Sequence, residues 1–219
     1  MNAQTRKRLS REESQAQTRE RLVEAARRLF VQRGFGGTSI RDIADEAGYS
    51  QGGFYSNFAS KEALLLELLH QHMQAEATQL NALIEAAEHL DGDVLAGLEV
   101  WSTTLDQDAD WAMLAVELQL HANRSAAFAE EYRQVWDGHR LALGGLVARV
   151  FARLRKIPPV EPAALAAGLM ALAHGQALQQ VVYAPQAPGR MIMVFLRGVL
   201  ASSADAESSA TAATPATAH

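Results

Sequence analysis

Three features of the sequence predict an all-α fold. Apolar residues recur at helical spacing along most of its 219 residues, and no run shows the strict alternation of a half-buried strand. Glycine, proline and capping residues also cut the chain into pieces of helical length. The predicted order is an N-terminal three-helix unit containing a helix-turn-helix, followed by a larger helical domain. With 48% apolar residues the chain can bury a real core.

Residues 1–14 read as a flexible basic arm carrying Arg6, Lys7, Arg8 and Arg11. The first helix is expected over 15–32, where Leu22, Ala25, Ala26, Leu29 and Phe30 form one apolar stripe. Gly34 ends it, and RGFGG forms a turn. Thr38 or Ser39 caps the second helix, and Asp42 favours its positive end. Its inner face is Ile40, Ile43, Ala44 and Ala47. Gly48 breaks that helix, and Ser50 caps a short third helix over 51–58. Ser60 caps a long fourth helix reaching residue 88, and DGD at 91–93 is a break. Further helices are expected at 93–105, 111–122 and 125–155. The loop IPPVEP precedes a helix at 163–183, and APQAPG precedes a last one at 189–201. Residues 203–219 are rich in Ala, Ser and Thr and read as a disordered tail.

Composition narrows the chemistry. The absence of cysteine removes disulfides, thiolate metal sites and cysteine nucleophiles, and suits a reducing cytoplasm. No signal-peptide pattern opens the chain. The longest apolar run, Ala163 to Ala173, falls well short of the roughly 18 residues of a membrane span. His70 and His72 are two apart and point to different helix faces, so no metal is expected there. No P-loop, G-x-S-x-G or metal-spaced cluster is present, so neither enzymatic activity nor a cofactor is expected. The net charge is −5, but it is unevenly spread. Residues 1–61 hold 11 Lys/Arg against 7 Asp/Glu, a net of +4, and the remainder carries −9. A basic front on an acidic chain suggests one end that faces a polyanion.

The informative stretch is TSIRDIADEAGYSQGGFYSNF, residues 38–58. Two short helices are joined by a turn centred on Gly48, with the small Ala44 where they cross. The second of them contains Gly52 and Gly53, each costing about 1 kcal/mol of helix propensity against Ala. Glycines kept on an exposed helical face suggest that something closely approaches its backbone.

Residues 18–69 resemble the N-terminal DNA-binding domain of the TetR (AcrR-like) repressors. The likeness lies in the RGF turn, T-S-I-R-D-I-A, A-G-x-S, G-x-x-Y-x-x-F and S-K-E-x-L, in that order. It implies a DNA-binding unit over 15–62, with its helix-turn-helix at 39–58, and a ligand-binding and dimerisation domain over 63–202. The third helix would enter the major groove of double-stranded DNA at a palindromic operator. Thr38 and Ser39 would hold phosphate at the second helix, and Lys61 would pair with phosphate. Gln51, Gly52, Gly53 and Phe54, behind the Ser50 cap, would face base edges, with Tyr55 along the sugar-phosphate wall. Ser56 and Asn57 stand where relatives often carry Arg, Trp or His, which implies weaker phosphate contacts there. Ile40, Ile43, Leu29, Phe30 and Phe58 read as core.

Beyond residue 70 the resemblance is one of architecture. It implies a cytoplasmic, ligand-responsive repressor, homodimeric through its last two helices and released from its operator by an unknown small molecule. The sequence agrees with such pairing. Ala163, Ala167, Gly168, Ala171 and Gly175 offer small faces, and Met191, Ile192, Val194, Phe195 and Leu196 offer apolar surface that needs a cover. Met73, Trp101, Trp111, Met113, Glu117, His121, Trp136, His139 and His174 are the candidates to line an effector cavity. The fourth helix is the natural lever, with Lys61 at one end and Met73 and Leu80 further along it.

Overall fold

The computed structural model describes residues 10–89, 92–105, 109–179 and 188–206, and within them side chains other than those of residues 109, 110, 177 and 188. The described elements are helices: α1 (Arg11–Arg33), α2 (Ile40–Ala47), α3 (Gln51–Tyr55), α4 (Lys61–His89), α5 (Val94–Leu105), α6 (Ala109–Ala122), α7 (Ala126–Arg153), α8 (Pro162–Gln179) and α9 (Pro188–Ser202). Among the described residues the chain is all-α, with one isolated bridge, Lys156 to Asp205. No helix there is long and apolar enough to cross a membrane. The chain divides into two compact units, residues 1–70 and 71–219.

In the first unit α1 starts earlier than the sequence suggests. Ser10 caps it through a capping box: its Oγ accepts from the Glu13 N–H, and the Glu13 carboxylate accepts from the Ser10 N–H. Residues 11–14, expected in a flexible arm, are therefore helical; residues 1–9 of that arm lie outside the described residues. The buried face of α1 is Leu22, Val23, Ala25, Ala26, Leu29 and Phe30. Phe35, Ile43, Ala44, Phe54, Phe58, Leu64, Leu65 and Leu68 complete this core. Gly48 closes α2 in the left-handed region, at φ 77°, which a side chain would strain.

In the second unit α7 packs on α8 and α5 on α9, with α6 also against α8. One core joins Leu80 and Ile84 of α4, Leu98 of α5, Val150 and Phe151 of α7, and Met193, Leu196 and Leu200 of α9. The crossings are close. A Cβ on Gly189 would lie 1.8 Å from the Ser102 carbonyl oxygen, and one on Gly144 would lie 2.7 Å from the Ala163 Cα. Arg149 ties α7 to α4 through Glu88, and Arg197 ties α9 to α5 through Glu99.

The helix expected over 163–183 is described as Pro162–Gln179; residues 180–183, and 184–187 of the following breaker, lie outside the described residues. The start of the expected disordered tail is placed: Ile157 N–H donates to the Ala204 carbonyl, Ala206 N–H to the Arg155 carbonyl, and Ser203 is buried. Backbone pairing with the 155–157 turn holds these residues despite their disorder-prone composition. Residues 207–219 of that tail lie outside the described residues.

Candidate nucleic-acid interface

Ser39 caps α2 with a reciprocal box. Its Oγ accepts from the Asp42 N–H, while Asp42 Oδ2 accepts from the Ser39 N–H at 2.9 Å and its hydroxyl at 2.5 Å. The Ser39 hydroxyl, then the Ser39 N–H, hold the Asp42 carboxyl below its ordinary value. Arg33 and Arg41, both exposed, lie near enough to push in the same direction. Arg41 also sits 3.6 Å from Asp45, both largely in solvent, a pair of little energetic weight.

Ser50 caps α3 by accepting from the Gly53 N–H at 3.1 Å. The helix stops at Tyr55 rather than at the expected Phe58. Ser56 Oγ donates to the Gly52 carbonyl and Asn57 Nδ2 donates to the Gly53 carbonyl, both at 2.8 Å, so side chains close the C-terminal end. Gln51, Gly52 and Tyr55 are exposed, Tyr55 at 56%. A Cβ on Gly52 would meet only Ser50 Oγ, at 3.5 Å, so the domain's own packing does not demand glycine there.

Four predicted contacts are placed otherwise. Phe54, expected at base edges, is fully buried, with its ring against Tyr55 and Phe58. A side chain on the inner face of a five-residue helix has no route to a groove. Thr38, expected at phosphate, is 2% exposed, and its hydroxyl donates to the Leu29 and Gly34 carbonyls. Lys61 Nζ donates to the Phe35 and Thr38 carbonyls at 2.8 and 2.7 Å and lies over the Phe35 ring. It is a clasp on the α1–α2 turn, and burial lowers its pKa. Asn57 is half-buried, with its amide nitrogen spent on α3 and its Oδ1 buried without a partner among the described residues.

Sequence reasoning missed Arg19. Its guanidinium covers Phe58 at 4.0 Å, donates to the Asn57 carbonyl and reaches Glu67. It thereby joins α1, the end of α3 and α4. Its partners lie 38 and 48 residues away, so no local signal marks it.

The cavity candidates divide in the second unit. Trp101 packs beside the Leu80–Ile84 core, Met73 is buried, and Met113 and Glu117 are half-buried on α6. Trp111 stacks on His72 at 4.3 Å. The rest converge. Phe128, Tyr132 and Trp136 of α7 form a ladder with ring centroids 5.8 and 5.9 Å apart. His121 lies against Phe128, and His174 against Trp136. His139 follows Trp136 at 6.3 Å, and its Nε2 is 3.3 Å from Glu76 Oε2. Tyr132 and Glu76 were not anticipated, although Phe128, Tyr132, Trp136 and His139 have the spacing of one helix face. Among the described residues no group of His, Cys, Asp and Glu could hold a metal ion.

Residues 22–68 match the sequence profile described as "Bacterial regulatory proteins, tetR family". The HTH-type transcriptional regulator YerO of Bacillus subtilis is 39% identical over 67 residues, 31% of this chain and 23% of that one. The repressor AcnR of Corynebacterium efficiens is 25% identical over 62% of this chain and 65% of its own length. The repressor KstR2 of Rhodococcus jostii is 32% identical over 55% of this chain and 62% of its own length. The chain thus spans less than two thirds of each of these relatives. The fold extends further than the sequence likeness. A TetR-family regulator from Mesorhizobium loti superposes with a TM-score of 0.66 at 16% identity, covering 89% of this chain and 99% of that one. The fatty acid degradation regulator FadR from Bacillus halodurans superposes at 0.65 with 19% identity, covering 84% and 96%.

Proposed function

We propose that this chain, whose residues 22–68 match the tetR family of bacterial regulatory proteins, is a homodimeric repressor released from its operator by a small molecule. The observation that carries this reading is the exposed Gln51–Gly52–Tyr55 face of a capped α3, beside an α2 start flanked by Arg33 and Arg41. A helix that presents an amide, a bare backbone and an aromatic hydroxyl suits a groove and its phosphate wall. Gln51 offers a bidentate pair to adenine, and Gly52 lets DNA come close to the backbone. Tyr55 and the remaining N–H groups at the start of α2, behind the Ser39–Asp42 box, hold sugar and phosphate. Thr38, Lys61, Phe54 and Arg19 shape this surface from within.

Repression requires two such helices at a fixed separation, near one DNA turn or about 34–36 Å. Exposed Val194 and Phe195 on α9 and Leu178 on α8 supply the apolar face for pairing with a second copy. Release follows when an effector in the second unit favours a state with the wrong separation. The helix α4 is continuous from Lys61 to His89 and therefore carries residues of both units.

Binding of the purified dimer to the DNA upstream of its own gene tests this, with wild type set beside Gln51→Ala and Tyr55→Ala. The wild type is expected to bind with a steep salt dependence. Each variant should lose at least about tenfold in affinity while remaining dimeric. Full operator binding by both variants, or no duplex binding by the wild type, would point to a protein-binding adaptor instead.

A further inference from the structure

We propose that the effector sits on the aromatic ladder of α7 against the Glu76–His139 pair, and that it is an uncharged aromatic molecule bearing a hydroxyl or N–H group. This rests on the effector-released reading above and names the chemistry of its ligand.

Two polar atoms in this apolar stripe have no partner among the described residues: Tyr132 Oη and His139 Nδ1. Both residues are 7% exposed. Buried polar atoms are nearly always hydrogen-bonded, so two on one helix face call for a complementary molecule. Their polarities can be assigned. Burial pushes the Tyr132 phenol up to about 12, so it keeps its proton and donates. His139 Nε2 faces a carboxylate oxygen, which only accepts, so Nε2 carries a proton, and the neutral form of this imidazole offers its lone pair at Nδ1. A ligand hydroxyl accepts from Tyr132 or donates to His139. An N–H group satisfies His139 alone.

Charge selects further. The Glu76 carboxylate stands beside this pair with its side chain 22% exposed. His174 is held below its ordinary value, first by burial, and stays neutral at neutral pH. The next cation on α7, Arg140, is engaged by Asp137 at 3.4 Å. With His139 neutral, an anionic ligand would meet the like charge of Glu76. The half-buried faces of Trp136 and His174 favour a flat ring.

Calorimetric titration of the full-length dimer with 2-naphthol and 2-naphthoate separates the two charge classes on one ring system. The naphthol is expected to bind about tenfold or more tighter than the naphthoate. Tyr132→Phe should cost the naphthol about tenfold, and Glu76→Gln should narrow the gap between the two probes. Equal or tighter binding of the naphthoate, no binding of either probe, or unchanged naphthol affinity in Tyr132→Phe would each overturn the assignment. Tyr132→Phe retains the ring, so it keeps the test open if Glu76→Gln fails to fold. The two readings also separate. If the naphthoate alone binds and frees the operator, release stands and this ligand class falls. If the naphthol binds as expected but operator DNA stays bound, the site stands and release falls.

Discussion

Lys61 shows how residue type can point to one role and packing to another. Its place at the start of α4 marks it in the sequence as a phosphate partner. The structure instead spends its ammonium on the carbonyls of Phe35 and Thr38 and on the face of Phe35. A direct phosphate contact and an internal clasp predict different losses. In Lys61→Gln the clasp predicts a loss of about 1–3 kcal/mol in stability, because two part-buried carbonyls lose a charged donor. It also predicts that the salt slope of operator binding stays that of the wild type. A phosphate contact predicts a slope lower by about one and little change in stability. Denaturant unfolding, with binding measured across a salt series, distinguishes them. The same cause misplaced Thr38 and Phe54. Residue type marks them as contact candidates, but burial is decided by partners such as Leu29, Gly34 and Phe58, and in Thr38 the hydroxyl is turned inward.

Helix caps were the most legible part of the fold, because a cap is settled within four residues. Ser39, Ser50 and the Gly48 break stand where the sequence puts them. Ser10 was missed: its box with Glu13 lies in a stretch whose charge suggested a loose arm. The length of α3 was also missed, because Ser56 and Asn57 back-bond to the glycine carbonyls and end the helix early. Those glycines give the sharpest test at this scale. Gly52→Ala meets only Ser50 Oγ at an ordinary distance, so the fold should gain up to about 1 kcal/mol from helix propensity. If a bare backbone there is what admits DNA, operator affinity should fall by about tenfold or more in the same variant. Stability and affinity would then move in opposite directions. A variant that is both more stable and equally tight would remove Gly52 from the interface.

For the whole molecule, architecture was legible and convergence was not. Helix order among the described residues and the exposed Val194 and Phe195 follow from periodicity and breakers, whereas Ile192 and Leu196, expected on the same surface, are buried within the protomer. The meeting of Glu76, His139 and His174 from three helices does not follow from periodicity, because only tertiary packing sets it. The apolar face of α9 is where the assembly can be tested. Val194 and Phe195 are 53% and 51% exposed, beside Gly198 and Ser202, and this surface is separate from the Met193–Leu196–Leu200 core of the same helix. Phe195→Glu should therefore leave the helical fold of the protomer intact while placing a charge on the face proposed to pair with a second copy. Sedimentation is expected to show loss of the dimer at micromolar concentration. Affinity for a two-half-site operator should fall by about a hundredfold or more, because the second half-site contact is no longer intramolecular. Affinity for a single half-site should be unchanged, since Gln51 and Tyr55 are untouched. A dimer that survives Phe195→Glu would move the pairing surface off this face of α9, and equal loss on both DNAs would mean that the substitution had damaged the reading unit itself.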